Sequence, residues 1–462
     1  MATNKFMVGN TSYDTLTEAM ANTTDGNIKL DGTNNATVVS TTESAEIQQS
    51  ITLSGKGIWK PSDGNVYVGA YNKSVAGHLT IAKDADITMR LGSQLNGRHN
   101  SASADENTKG TQASTLTVEN GRLKVEATVT FNGLISVSGD PENAKQEGDL
   151  TLVTYGKKIG SKYEANLETK SLIVNDRFNN TDTAVAAAIS GGYIEADAND
   201  TYGLILKDWA YVKNYEQYFQ IGSDDHASKA LVENSKLEVQ KITFGGHSDV
   251  TADKEIGDTL EIKGRSVVIS AGELGDANKG TVNISGESQM SIGSIAAEAT
   301  NLAINITITA DEMKAFNLAK LNVFEITSDQ AIDLSKFNIS IAGETIDFSK
   351  EASKNFTIDG IEYTAKLTAN GSDGVANDIV ITKNAISLAK ADGTNLGNFN
   401  SLSGVTAAMT EDTAYVVTFN GSVDADDFES KSVFFTKDVT FAGTGTYRTH
   451  YGIYLGQNAN DG

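Results

Sequence analysis

One opening pattern occurs twice in this chain of 462 residues, and such a repeat constrains the fold more than any other feature of the sequence. In each copy an aromatic residue, a hydroxyl residue and a leucine precede an Ala-Met stretch, and strand-like segments ending at glycine follow. Gly32 matches Gly421 and Gly69 matches Gly456, so the copies are displaced by 389 and 387 residues. A less regular copy starts at Phe178. We therefore expect a tandemly repeated polypeptide.

Each opening has the features of a short helix followed by strands. Ala and Met favour a helix, and a turn such as Asp25-Gly26 ends it. The next segments, Ile-Lys-Leu at 28–30 and Ile-Thr-Leu at 51–53, alternate apolar and polar residues, as short strands between tight turns do. We expect helices near residues 15–21 and 183–189, where they would shield sheet edges.

Short alternating runs fill most of the chain between the openings. Examples are Leu-Thr-Val at 116–118, Val-Thr-Phe at 129–131 and Leu-Glu-Val at 237–239. Asn-Gly pairs at 120–121 and 132–133 tolerate the positive φ of tight turns. Three-residue alternations suit the coils of a β-solenoid, in which only inward positions must be apolar. The sequence therefore predicts an all-β protein, a parallel β-helix (β-solenoid) with short helical capping elements.

Residues 310–384 differ from the rest. Residues 310–316 have the pattern of a capped helical turn, and longer alternating runs with a hairpin signal at Asp359-Gly360 follow. This stretch predicts a small antiparallel β segment. The expected division of the chain is a first β-solenoid unit at 1–171, a second at 172–309, the antiparallel segment at 310–384, and the truncated start of a further repeat at 385–462.

The opening resembles the entry into right-handed parallel β-helices of the pectin-lyase-like superfamily. The residues that carry this resemblance are Gly-Asn-Ile-Lys-Leu-Asp-Gly at 26–32 and Ser-Ile-Thr-Leu-Ser-Gly-Lys-Gly at 50–57. The reiterated Leu-Thr-Val runs with Asn-Gly turns also resemble passenger regions of bacterial autotransporters and giant surface adhesins. The resemblance extends over most of residues 6–310. It implies a secreted or surface-displayed bacterial protein, here a fragment lacking its export signal.

Composition excludes several classes of partner. The chain has 37 basic and 60 acidic residues, a net charge of −23, and its lysines and arginines are spread among carboxylates. Nucleic-acid binding needs clustered basic residues, so no nucleic-acid partner is expected. No apolar stretch approaches the roughly 18 residues of a membrane helix, and we expect no direct membrane insertion. The absence of Cys excludes disulfides and thiolate sites.

Familiar catalytic motifs are missing from the sequence. The five histidines form no HExxH pair, and neither a GxSxG elbow nor a phosphate-binding glycine loop occurs. We therefore expect no catalytic residues, no cofactor and no enzymatic activity. The alternatives are a β-helical polysaccharide lyase or hydrolase, which would need a carboxylate cluster in a groove, and a phage or virus fibre segment, which would form a stable trimer.

The densest acidic cluster consists of Asp424, Asp426 and Asp427. Hard cations take several oxygen ligands, so these are the candidate Ca²⁺ ligands of the chain. Their spacing differs from that of an EF-hand, and we expect a solvated loop without a metal.

Aromatic residues are most concentrated around positions 209–219. Tyrosines combine apolar area with a polar tip and can stack on sugar rings or anchor a protein. Tyr211, Tyr215 and Tyr218 are therefore the candidate ligand-binding residues, whereas Trp209 is expected in the core. The leading hypothesis is a non-enzymatic extracellular repeat segment of a large bacterial cell-surface protein, an adhesin or stalk. Its partners would be a host-cell or cell-surface glycan or protein and neighbouring repeats of the same polypeptide.

Overall fold

The computed structural model describes most of the chain. The described residues are 6–32, 38–41, 43–61, 64–69, 76–83, 85–92, 94–97, 114–131, 133–142, 154–174, 178–179, 201–222, 228–245, 258–369, 374–425 and 431–456. They belong to two compact units. Unit 1 comprises Met1–Gln146, Val153–Asn283 and Ile292–Ile304, and unit 2 comprises Glu147–Leu152, Ile284–Ser291 and Asn305–Gly462.

Unit 1 begins with a hairpin and a short helix. Strands β1 (Phe6–Val8) and β2 (Thr11–Tyr13) pair antiparallel, and α1 (Leu16–Asn22) follows. Thr15 and Glu18 form a reciprocal capping box at the start of α1, which satisfies backbone N–H groups that the helix itself cannot. Leu16 and Ala19 are buried. The helix predicted near residues 15–21 is thus confirmed, whereas the one predicted at 183–189 lies outside the described residues.

Three series of parallel strand pairs follow within unit 1. Series A consists of β3 (Asn27–Asp31), the first part of β6 (Ser50–Pro61), β8 (His78–Ile81), β11 (Ser114–Glu119), β13 (Gly133–Ser138), β19 (Leu204–Lys207), β22 (Lys229–Glu233) and β25 (Asp258–Lys263). Each strand pairs in parallel with the next one named.

Series B and C have the same parallel arrangement. Series B consists of β4 (Val38–Thr41), the last part of β6, β9 (Asp86–Met89), the first part of β12 (Arg122–Phe131), the first part of β16 (Leu167–Val174), β20 (Tyr211–Asn214), β23 (Lys236–Val239) and the first part of β26 (Val267–Leu274). Series C consists of β5 (Ala45–Ile47), β7 (Asn65–Val68), β10 (Gln94–Gly97), the last parts of β12 and β16, β21 (Phe219–Ile221), β24 (Ile242–Phe244) and the end of β26.

The core of unit 1 is built from aliphatic side chains that occupy the same position in successive strands. In series A, Leu79, Leu116, Ile135 and Leu204 are opposite one another in register, and all are fully buried. At Leu79 and Leu116 a slip by one residue would place a polar neighbour in the buried position, so burial favours the observed register.

Short elements lie between the strands of the series. The hairpin of β14 (Lys157–Ile159) and β15 (Lys162–Glu164) separates β13 from β16, and β17 (Phe178–Asn179) pairs with β18 (Thr201–Tyr202) before β19. Strands β27 (Gly280–Ile284), β28 (Gln289–Ile295) and β29 (Leu302–Ile308) follow β26.

Unit 2 contains an antiparallel part. It includes α2 (Ala310–Lys314), β30 (Lys320–Ile326), a 3₁₀ turn (Leu334–Lys336), β31 (Phe337–Ile341), β32 (Glu344–Ile346), β33 (Ser353–Ile358), β34 (Ile361–Ala369) and β35 (Ala376–Asn384). Pairs β30–β35, β31–β32, β33–β34 and β34–β35 are antiparallel. Asp359 and Gly360, both at positive φ, form the predicted hairpin turn.

The last part of unit 2 combines antiparallel and parallel pairs. It contains β36 (Ile386–Lys390), β37 (Asn395–Phe399), α3 (Leu402–Ala408), β38 (Tyr415–Phe419), β39 (Val423–Asp424), β40 (Val433–Phe435), β41 (Val439–Gly443), β42 (Tyr447–Arg448) and β43 (Ile453–Leu455). Its core includes Leu388, Leu402, Val417 and Phe435.

The all-β prediction is confirmed, since strands account for most of the described residues and helices for few. Strand pairing is mixed, because antiparallel pairs occur in each unit. The predicted boundary between residues 171 and 172 falls inside β16. The four-part division of the chain remains a prediction.

Candidate binding face

The outward side chains of series B form a ladder of charges with alternating sign. Lys124, Glu168, Lys213 and Glu238 are opposite one another in the register of β12, β16, β20 and β23. Neighbouring strands are about 4.8 Å apart, so side chains at matching positions come into contact. We call these four residues, together with Tyr211, Tyr215 and Lys236, the charged face.

Ion pairs connect the rungs of the charged face. Lys124 Nζ lies 2.9 Å from Glu168 Oε1, and Lys213 Nζ lies 2.7 Å from Glu238 Oε1. Lys236 Nζ adds a contact of 3.0 Å to Glu238 Oε2. These charges are thus neutralised by neighbours rather than left open to an ionic ligand.

A further ion pair lies next to the charged face on β9 and β12. Arg122 Nη1 is 2.8 Å from Asp86 Oδ1, and Arg122 Nη2 is 3.9 Å from Glu168 Oε2. Because both partners are largely buried, this pair is screened less by salt than an exposed one.

Tyr211 joins the ladder through its hydroxyl group. It aligns with Lys236 in the register of β20 and β23, and its hydroxyl donates a hydrogen bond of 2.7 Å to Glu238 Oε2. The Lys236 ammonium lies 4.7 Å from the ring centroid, within cation–π range. Burial, and then the hydrogen bond to Glu238, raise the pKa of Tyr211.

Glu238 is the centre of this network. Burial acts to raise the pKa of Glu238, but hydrogen bonds from Lys213, Tyr211 and Lys236 outweigh it and lower the pKa to about 2. The carboxylate is therefore ionised and fully engaged at neutral pH, which suits an anchoring role better than proton transfer.

The other two tyrosines lie in the segment after β20. Tyr215 is half-buried, its backbone N–H bonds to the carbonyl of Thr169, and Lys124 Nζ lies 5.3 Å from its ring centroid. Burial and nearby carboxylates, Glu216 first, raise the pKa of Tyr215 to about 12. Tyr218 is also half-buried. Tyr211 and Tyr215 thus each contact the ladder, Tyr211 at Glu238 and Tyr215 at Lys124. Tyr218 contributes only its carbonyl oxygen, which accepts a hydrogen bond from Asn214.

Trp209 does not occupy the predicted core position. It is only partly buried and adopts a positive φ of 64° in the turn before β20. Its ring packs 6.0 Å from that of Tyr155, whose hydroxyl donates a 2.7 Å hydrogen bond to the carbonyl of Arg265. The turn therefore directs the indole away from the core, where the alternation of apolar residues alone would place it.

The acidic cluster is described only in part, because Asp426 and Asp427 lie outside the described residues. Asp424 is buried in β39, and its Oδ2 lies 3.8 Å from Arg448 Nη1. The described part of the chain contains no group of three His, Cys, Asp or Glu side chains placed to hold a metal ion.

Sequence reasoning missed the charged residues of the face and Tyr155. The signal was present as a charge in the middle of successive short strands, Lys124 in Leu-Lys-Val, Glu168 in Leu-Glu-Thr and Glu238 in Leu-Glu-Val. Finding the ladder required the register between strands, which the single sequence lacks.

Comparisons with protein-family models, curated proteins and solved structures gave no match. Among the residues described, no helix has the length and apolar character needed to cross a bilayer.

Proposed function

We propose that residues 27–274 form a parallel β-helix that serves as a scaffold in a bacterial cell-surface protein, with the charged face as its adhesive surface. The observation that carries this proposal is the matching of three parallel strand series. In series A, Leu79 is opposite Leu116, and in series C, Leu95 is opposite Val129, so successive strands superpose in each series. Stacked coils of a β-helix would produce this matching, which supports the proposal.

A stack of this length suits a load-bearing role. Eight strands spaced by about 4.8 Å span roughly 34 Å along the stacking direction. Each coil is held to the next by backbone hydrogen bonds in three series at once. Inward aliphatic residues such as Leu206 and Val232 bury the core between them. A rigid stack positions outward side chains at fixed intervals, which a weak binding site needs.

The charged face supports adhesion more than catalysis. Its carboxylates Glu168 and Glu238 are engaged by lysines, and its phenol groups are half-buried and rigidly held. Tyrosine rings held in this way provide apolar area at low entropic cost. A neutral glycan or a protein surface fits this chemistry, because neither requires an unpaired charge.

Binding of the purified protein to a glycan array and to cultured host cells tests the adhesive role. We expect binding that Tyr215→Ala weakens at least tenfold. Tyr67→Ala, at a half-buried position on β7 in series C, is the matched control and should retain binding. Binding that both variants retain, or no binding by the unmodified protein, would overturn the adhesive role. An experimental structure with β16 antiparallel to β12 would overturn the β-helix.

A further inference from the structure

The C-terminal segment has the same strand topology as the N-terminal opening. In the opening, β1 pairs antiparallel with β2 and β3, and β3 pairs in parallel with β6. In the C-terminal segment, β36 pairs antiparallel with β37 and β38, and β38 pairs in parallel with β41. A short helix, α1 or α3, occupies the same place in both. Parallel pairs β39–β42 and β40–β43 complete the match with β4–β6 and β5–β7.

Glycine geometry supports this equivalence at one position. Gly55 and Gly443 both adopt a positive φ, of 85° and 94°. A Cβ atom on Gly55 would lie 2.2 Å from the carbonyl oxygen of Leu30, and one on Gly443 would lie 2.2 Å from that of Phe419. The same close approach of two strands therefore occurs in both segments, and only glycine permits it.

The two segments differ in whether further strands cover the second strand of each parallel pair, which is β6 or β7 in the opening and β41 or β43 in the C-terminal segment. In the opening, β8 and β10 pair with β6 and β7, and the exposed fractions of Leu53 and Val68 are 1% and 0%. The equivalent residues Phe441 and Leu455 are 41% and 65% exposed. Ile453 is 43% exposed. We call Phe441, Ile453 and Leu455, with the strands that carry them, the open edge.

The backbone of the open edge is paired with a strand on one side only, as far as the described residues extend. Among the described residues, β41 pairs with β38, β42 with β39 and β43 with β40, and no further strand pairs with any of these three. Native proteins normally cover strand edges that carry apolar side chains. Phe434 and Tyr454 stack with ring centroids 4.9 Å apart, so an aromatic stack also ends at this edge.

We infer that the open edge is the stacking surface for a further β-coil, joined in tandem and built like residues 78–97. This inference rests on the β-helix part of the proposed function. The opening shows what covers such a surface, because three short parallel strands with alternating aliphatic residues lie there. A second copy fits less well, since two chains of charge −23 repel each other and like edges would meet antiparallel.

A graft tests the inference with a coil that the chain itself supplies. Residues 70–97 are joined after Gly456 of the full chain, in place of 457–462, and amide hydrogen exchange is followed in β41 and β43. We expect exchange to slow at least tenfold. A control graft carries serine at Leu79, Ile81, Ile87 and Leu95, the inward positions of the coil, and should leave exchange unchanged.

A pair of equivalent substitutions keeps the test independent of the graft. Leu455→Ser should leave the ungrafted protein as stable as before, whereas Val68→Ser should lower its unfolding midpoint, because only Val68 is covered. Equal exchange in both grafts would overturn the inference. A dimer of the ungrafted chain that Leu455→Lys dissociates would also overturn it, in favour of a second copy. Neither result depends on glycan or cell binding, so failure of the adhesive role is distinguished from failure here.

Discussion

The Tyr211 hydroxyl and the Glu238 carboxylate are joined by a hydrogen bond of 2.7 Å between adjacent strands of series B. Glu238 also contacts Lys213 and Lys236, so one carboxylate holds side chains from two strands. The hydrogen bond therefore couples the orientation of the Tyr211 ring to the register between β20 and β23. A network of this kind costs more to break at its centre than at its rim.

Glu238→Gln should therefore lower stability at neutral pH. The pKa of Glu238 is lowered to about 2 in the folded protein, so its stabilisation is present above the unfolded value and is lost as pH falls through about 4.5 to 2. We expect the free energy of unfolding to fall by on the order of 1 kcal/mol at pH 7, since Glu238 and its lysine partners are partly exposed. Thermal unfolding between pH 2 and 7 measures it.

The matched control is Glu216→Gln. Glu216 lies 3.1 Å from Lys170, but both side chains are considerably exposed. This substitution should change the free energy of unfolding by less than about 0.5 kcal/mol. An equal effect of the two substitutions, or a Glu238→Gln difference that persists unchanged at pH 2, would contradict the central role of Glu238.

Local signals in the sequence were sufficient to predict many of the strand segments, α1 and the Asp359-Gly360 hairpin. These depend on local periodicity, capping and turn chemistry, which a single sequence contains. The charged face depends on which strand lies beside which. Glu168 meets Lys124 across an intervening 43 residues that include the β14–β15 hairpin, and no local signal specifies that offset. The prediction that Trp209 lies in the core is wrong, because its positive φ is a property of the folded turn that no local signal in the sequence specifies.

Gly97→Ala should destabilise unit 1 by overpacking. Gly97 is opposite Phe131 in series C, and a Cβ atom there would lie 2.5 Å from the ring. The Phe131 ring is fully buried and has little room to move, so we expect a loss of about 1–3 kcal/mol in the free energy of unfolding. Gly92→Ala is the control, because the nearest atom to its Cβ is 3.4 Å away. Urea unfolding of both variants measures the effect, and a Phe131→Leu change should partly rescue Gly97→Ala.

Asn214→Ala should be among the more destabilising polar substitutions. The buried amide donates to the carbonyls of Lys170 and Tyr218, at 2.7 and 2.9 Å, and its Oδ1 accepts a bond of 3.3 Å from the N–H of Gln240. Its removal takes a partner from the Tyr218 carbonyl and from the Gln240 N–H, whereas the Lys170 carbonyl keeps the bonds that it accepts from the N–H groups of Glu216 and Gln217. We expect a loss of about 1–3 kcal/mol in the free energy of unfolding, partly relieved by water.

Asn338→Ala tests whether burial is responsible. Asn338 is exposed and donates one bond, of 2.9 Å, to Asn305. We expect a change of less than about 0.5 kcal/mol in the free energy of unfolding. If the two alanine variants unfolded at the same urea concentration, the hydrogen bonds that Asn214 makes between neighbouring strands would contribute nothing to stability, and this prediction would be wrong.

Asp378 gives the stability of unit 2 a pH dependence opposite to the one that Glu238 gives unit 1. It is buried in β35 opposite Glu325 of β30, and its Oδ1 has no hydrogen-bond partner among the described residues. Burial, and then the charge of Glu325, raise the pKa of Asp378 to about 6. Between about pH 4 and 6 the folded state holds a proton that the unfolded state has lost, so stability falls as pH rises through this range.

Asp378→Asn removes this titration while keeping the size of the side chain. We expect the variant to be more stable than the unmodified protein at pH 7–8, by on the order of 2 kcal/mol, and similar to it near pH 4. Glu325→Gln should produce a smaller gain, because burial is the larger cause of the raised pKa. Chemical unfolding of unit 2, followed by hydrogen exchange in β35 from pH 4 to 8, distinguishes these outcomes. A destabilised Asp378→Asn variant at pH 8 would show that the ionised carboxylate is stabilising, against the expectation for a buried acid facing another acid.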